Sequence, residues 1–202
     1  MNRLLIATCL LAGCAGGGHN ASPPEVYDFG LPVARLAVDA RWANVALEVS
    51  ASPWLDSREI EYRLLYEDPL KLRSYSASRW AAAPRLLLSQ RLRQQLGLVG
   101  AGAPAACLLR LDLQEFSQVF ATPASSRAML LGRASLVDAR RQLIGERPLA
   151  IEQPAPTADA RGGVVALVAA SDDLGRQFAA WLNDLEKHGR LQGCRSTAGE
   201  SQ

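Results

Sequence analysis

The stretch Leu109-Arg110-Leu111-Asp112-Leu113-Gln114-Glu115-Phe116-Ser117-Gln118-Val119-Phe120 decides how this chain folds. Leu109, Leu111 and Leu113 alternate with Arg110, Asp112 and Gln114, the two-residue period of a half-buried strand. The apolar positions then change parity to Phe116 and Phe120, which predicts a bulge or bend near Glu115. Downstream, Met129 to Val137 and Gln142 to Ile151 continue the sheet across the turn Asp138-Ala139-Arg140-Arg141, and Pro154 and Pro156 end it. Upstream, Val26 to Phe29 reads as a first strand. It is followed by Leu36 to Val49, where Val45, Leu47 and Val49 alternate with Ala46 and Glu48. Glu59 to Tyr66 places Ile60, Tyr62 and Leu64 on one face. The turn signal Glu67-Asp68-Pro69 then returns the chain through Leu72 to Tyr75.

Two segments carry helical periodicity. Pro84 suits a first helical turn, where its missing N–H costs nothing. Leu88, Leu92 and Leu96 then recur every four residues, Gln90, Arg91, Arg93, Gln94 and Gln95 cover the other faces, and Gly97 stops the helix. From about Asp159 to Lys187, Leu167, Leu174, Phe178, Trp181, Leu182 and Leu185 form an apolar stripe. Gly162 and Gly163 place the onset of regular helix later in that segment. Helices this far apart, with strands in consecutive runs, disfavour a regularly alternating parallel sheet. The expected fold is therefore α/β in the α+β sense. It is a single domain with a mostly antiparallel or mixed sheet of about six or seven strands and two main helices packed on it.

The 202 residues, 49% hydrophobic and 21% charged, suit one globular domain. A net charge of +2, with the positives spread along the chain, argues against nucleic acid as a partner. No apolar run reaches the ~18 residues of a transmembrane helix.

The N-terminus is the informative part for function. Met1-Asn2-Arg3, the apolar run Leu4 to Leu11 and Ala12-Gly13-Cys14 have the layout of a secretory leader. The ending Leu11-Ala12-Gly13-Cys14 resembles the bacterial lipobox, which implies diacylglyceryl transfer to the Cys14 thiol, cleavage before it and acylation of the freed amine. The competing readings are an ordinary secretory leader that happens to contain Cys14, or a first core helix. Charge, length, small residues and cysteine agree on the lipoprotein. Two or more acyl chains suffice for stable anchoring. Ala15 stands where Asp would retain a bacterial lipoprotein at the inner membrane. The resemblance therefore implies the outer membrane, with the domain on the periplasmic face. The expected organisation is a signal peptide over 1–13, a lipidated tether over 14–25 rich in Gly, Ser and Pro, the domain over 26–195 and a flexible tail over 196–202.

Cys107 and Cys194 are the cysteines left in the domain. In an oxidising compartment they could form a disulfide tying the tail to the sheet; two separate thiols, with Cys107 simply buried, is the equal alternative. Their spacing does not suit zinc, and no cofactor is implied.

The catalytic inventory is poor. His19 lies in the tether, and His188 beside Lys187 suits a helix C-terminus, where positive charge is favoured by the helix dipole. Asp172 and Asp173 are adjacent on a helix and so point in different directions, a poor acid/base dyad. Glu59 and Glu61 read as the solvated face of a strand and Glu67-Asp68 as a turn. Gly100-Ala101-Gly102-Ala103-Pro104-Ala105 matches a nucleotide fingerprint only formally, because it follows a helix and precedes a strand. Arg41-Trp42 and Arg79-Trp80 interleave base-stacking residue types, but secretion argues against that use. No catalytic residue is assigned.

Tyr27-Asp28-Phe29-Gly30, Trp54-Leu55-Asp56, Ile60-Glu61-Tyr62-Arg63, Arg79-Trp80, Pro84 before a leucine-rich helix, Leu111 to Phe116, and Trp181-Leu182 follow one another in an order that resembles the ABC-type transport auxiliary lipoprotein family. The resemblance runs from the lipobox to about Leu185. It implies a non-catalytic outer-membrane lipoprotein that works with an MCE-domain protein of an ABC-type lipid transport system. Only Cys14 transfers as a functional position. Arg79, Trp80 and Pro84 match the pattern as structural or interface residues, and a homo-oligomer is left open. Two further readings compete: a structural lipoprotein assisting assembly of another outer-membrane complex, and a periplasmic enzyme using His188.

Overall fold

The computed structural model describes residues 22–31, 35–36 and 42–194. The leader, Cys14, His19, Arg41 and the tail over 196–202 lie outside the described residues. Within them the chain runs β1 (Glu25–Tyr27), β2 (Val45–Ala51), β3 (Glu59–Leu64), β4 (Asp68–Trp80), α1 (Pro84–Leu96), β5 (Val99–Gly100), β6 (Cys107–Thr122), β7 (Ser125–Asp138), β8 (Leu143–Pro154) and α2 (Ala160–Lys187). The strands form one eight-stranded mixed sheet with both helices packed on it, so the α+β reading holds.

The strand β6 organises the sheet. One edge pairs antiparallel with β7, which pairs antiparallel with β8. The other edge is shared: β2 runs parallel to Cys107–Leu113 and β3 parallel to Gln118–Phe120. Then β4 pairs antiparallel with β3, β1 pairs parallel with the end of β4, and β5 pairs parallel with β2. The parity switch is a real bulge. Register passes from Leu113 opposite Gly132 to Glu115 opposite Leu131, with Gln114 as the extra residue. That residue keeps Leu109, Leu111, Leu113 and Phe116 in one buried core.

Three expectations need correction. The sheet has an eighth strand, β5, whose two residues are too short to show a period. The return strand β4 spans 13 residues instead of Leu72 to Tyr75, because its polar side chains carry little apolar alternation. The helix α2 is regular from its start. Its N-cap Asp159 accepts a 2.7 Å hydrogen bond from the Gly162 N–H. The glycines serve close approach: a Cβ on Gly163 would lie 2.1 Å from Gln118 Oε1, and one on Gly162 would lie 2.0 Å from the Thr157 carbonyl oxygen.

The helix α1 begins with Pro84 in its first turn and ends at Gly97 in the left-handed conformation. Leu88, Leu92 and Leu96 are fully buried, each contributing roughly 1.5–3 kcal/mol of transfer free energy. The stripe of α2 buries Leu167, Leu174, Phe178, Leu182 and Leu185, while Trp181 is half-buried beside Phe178. Among the described residues, no helix is long and apolar enough to cross a membrane.

Candidate functional site

Two of the segments that carry the family resemblance, Tyr27-Asp28-Phe29-Gly30 and Arg79-Trp80, meet at one edge of the sheet. Backbone pairing sets Tyr27 opposite Trp80 and Val26 opposite Arg79. The chain then turns inward, so Phe29 meets Trp80 edge-on with ring centroids 5.5 Å apart and lies 5.9 Å from Phe116. Trp80 is fully buried and Pro84 opens α1, so both act in the framework. Arg79 is exposed. It lines a cleft of about 460 Å³ with Pro24, Arg58, Glu59, Ser74 and Tyr75, among others. On the other side of β1, Glu25, Val26, Tyr27, Asp159, Ala160 and Arg161 line an open cleft of about 670 Å³. Arg58 is held in place by donating from Nε to the Trp80 carbonyl at 3.0 Å. This edge can offer guanidinium and hydroxyl donors to a polar or extended segment.

Beneath it lies a network that the local pattern of α1 hid. Arg91 and Gln95, which the sequence places on the faces away from the leucine stripe, are buried, and both bond across to Asp172 of α2. Arg91 donates from Nε to Asp172 Oδ1 and from its second terminal nitrogen to Oδ2, both at 2.8 Å. Its other terminal nitrogen donates to the Phe29 carbonyl at 2.7 Å. Gln95 donates to Asp172 Oδ1 at 2.6 Å. Asp172 therefore faces α1, while Asp173 accepts from Arg176 and Gln177 of its own helix, and the pair forms no dyad. The Arg91 contact ties the Tyr27-to-Gly30 segment to both helices.

On the helix-free face, Glu61 is buried where a solvated position was expected. Its carboxyl is pushed up to about 7, first by burial and then by the Glu115 carboxylate, with Arg63 opposing. Arg63 donates to Glu115 Oε2 at 3.0 Å, and neither Glu61 Oε2 nor Glu115 Oε1 has a hydrogen-bond partner. Buried Gln118 lies on the helix side. It accepts from the Tyr75 hydroxyl at 2.9 Å and donates to Ser126 at 2.7 Å.

The structure does not bring His188 to either cleft. It caps α2, with Nδ1 2.8 Å from the Asp184 carbonyl oxygen, at the opposite end of that helix from Asp159. Cys107 and Cys194 are joined by a disulfide, which fastens the segment after α2 to the first residue of β6. Among the described residues, no group of three or more His, Cys, Asp or Glu is placed to hold a metal. The Gly100-to-Ala105 loop joins β5 to β6 and opens no helix, unlike a phosphate-binding loop.

No family model matches the chain, and no curated protein does. Solved structures share its architecture. A Xanthomonas campestris protein, XCC0632, described under the family model DUF330, superposes with a TM-score of 0.68 at 17% identity, covering 83% of this chain and 99% of its own. A second crystal structure, of an uncharacterized protein, gives a TM-score of 0.62 at 15% identity, covering 79% of this chain and 99% of its own. At these identities the likeness is one of fold: the chain has the fold of the Xanthomonas protein over nearly all of that protein's length.

Proposed function

We propose that this chain is a lipid-anchored, non-catalytic auxiliary component of an ABC-type lipid transport system. In this reading Cys14 carries the acyl chains, and the domain works on the periplasmic face of the outer membrane beside an MCE-domain protein. The observation that carries the reading is the meeting of two features in one chain. One is the lipobox-like Leu11-Ala12-Gly13-Cys14. The other is the packing of three resemblance residues, with Phe29 against Trp80 and Phe116 and its carbonyl held by Arg91. The fold shared with the DUF330-described protein supports the same reading. A tether of about ten residues has a random-coil reach of roughly 15–20 Å, so an anchored domain searches a thin layer above the membrane. Confinement raises local concentration, and weak partner contacts then suffice.

Affinity capture of the lipidated chain from envelope extracts tests the proposal. Recovery of an MCE-domain protein is expected. Recovery of an outer-membrane barrel or secretion-channel assembly in its place favours the assembly-factor reading.

A further inference from the structure

The polarity of the sheet says which end of the domain the tether approaches. Strand β4 starts at the β3–β4 turn, and β1 runs parallel to it with Glu25 opposite Ser78. Residues preceding Glu25 are therefore directed back along β4 toward that turn. Pro23 and Pro24 lack backbone N–H groups and cannot extend β1 as a paired strand. The connection into α2 leaves the sheet at the same end, since Pro154 pairs with Arg127 beside the β6–β7 turn, and Phe120 of that turn lies opposite Leu64 of β3.

This end differs in chemistry from the other. The β6–β7 turn lies in Phe120-Ala121-Thr122-Pro123-Ala124-Ser125-Ser126, which holds no charged residue, and the connection into α2, Ala155-Pro156-Thr157-Ala158-Asp159, holds only Asp159, which caps α2 by accepting from the Gly162 N–H. Beside them, the β3–β4 turn presents Leu65, Tyr66 and Leu70 at 38%, 48% and 89% exposure. Leu70 protrudes because the pairing skips from Leu72 opposite Arg63 to Asp68 opposite Leu64, leaving Pro69, Leu70 and Lys71 bulged. The charges here are managed locally. Glu67 is paired with Arg73, Asp68 accepts from the Leu70 N–H, and the Lys71 stem can carry its ammonium to a headgroup. The opposite end carries Asp138, Arg140, Arg141, Lys187, His188 and Arg190.

We infer that the β3–β4 hairpin tip is a membrane-contact surface, with Leu70, Tyr66 and Leu65 entering the headgroup–acyl boundary of the bilayer in which Cys14 is anchored. An apolar and aromatic tip flanked by a lysine has the composition that interfacial segments use. Reach is sufficient: the eleven residues from Cys14 to Pro24 extend at most ~36–40 Å. The part of β3 paired along β4 covers six residues, or roughly 20 Å. The inference rests on the anchored reading of Cys14 and adds an orientation: the tip faces the bilayer, and the charged end of α2 and the β7–β8 turn face away from it.

The test uses the full chain matured in cells and reconstituted in phosphatidylethanolamine–phosphatidylglycerol vesicles. A photoreactive benzoylphenylalanine replaces Leu70 in one preparation and Leu143, which is exposed at the far end, in another. After irradiation, lipid adducts at position 70 should exceed those at 143 by roughly tenfold or more. An acylated, vesicle-bound chain with equal yields at the two positions, or with protein–protein adducts alone at 70, overturns the inference and leaves the anchor intact. A mature chain whose intact mass shows no acyl groups overturns both.

Discussion

Arg91 and Asp172 face each other across the α1–α2 interface in a two-pronged ion pair, with both N–H···O distances at 2.8 Å. The Arg91 side chain is 3% exposed and that of Asp172 24%, so water screens the pair weakly. Removing one partner of a buried pair leaves an uncompensated charge, which costs about 3–5 kcal/mol. Asp172→Ala should lower stability to that extent in urea unfolding, whereas Asp173→Ala, whose partner Arg176 is exposed, should change it by less than about 1 kcal/mol. Equal effects would show that the network is not a fastener between the helices.

Reduction of the Cys107–Cys194 disulfide releases a crosslink spanning 87 positions of sequence. The expected loss is about 2–4 kcal/mol. For a chain of this size that lowers Tm by roughly 5–15 °C, measurable by calorimetry with and without reductant. Intact mass after alkylation under non-reducing conditions gives the direct check: no thiol of this pair should react.

Gly163→Ala should destabilise the junction of α2 with β6. The new methyl would meet Gln118 Oε1 at 2.1 Å, and that side chain is committed to Tyr75 and Ser126. A loss of about 1–3 kcal/mol is expected, with partial recovery when Gln118→Ala opens the space. Improved helix propensity alone would move stability the other way, by about 1 kcal/mol.

Glu61 gives the fold a pH signature. Its carboxyl is at about 7 in the folded chain against 4.5 as a free group, so the folded state holds more protons between these values. Stability therefore falls as pH rises from 4.5 through 7. Glu61→Gln should flatten that slope and stabilise the chain at pH 8 by about 2 kcal/mol. An unchanged stability–pH profile would place the titration elsewhere.

What was legible in the sequence follows from the range of the interactions involved. The period of Leu109, Leu111 and Leu113, its switch at Phe116, and the Pro84 and Gly97 boundaries of α1 are local effects, so a local pattern reveals them. Arg91 and Gln95 read only as residues on the non-leucine faces of α1, because their partner, Asp172, lies 81 and 77 residues away. Glu61 misled for a related reason: Glu115 comes beside it only once β3 lies beside β6. Gly162 and Gly163 read as helix-weakening because propensity takes no account of Thr157 or Gln118 pressed against them. The β1 edge shows the same limit, since neither Val26 nor Arg79 carries a sign of its neighbour.

The central claim, an anchored adaptor that does no chemistry of its own, is tested most directly by complementation of lipid transport in cells lacking the chain. Two variants should be compared at matched envelope levels: His188→Ala, and an exported form in which Cys14→Ser removes the anchor. The account predicts near-normal transport with His188→Ala and weakened transport without the anchor. Abolished transport with His188→Ala, in a protein that still folds and binds its partner, would contradict it and favour a periplasmic enzyme.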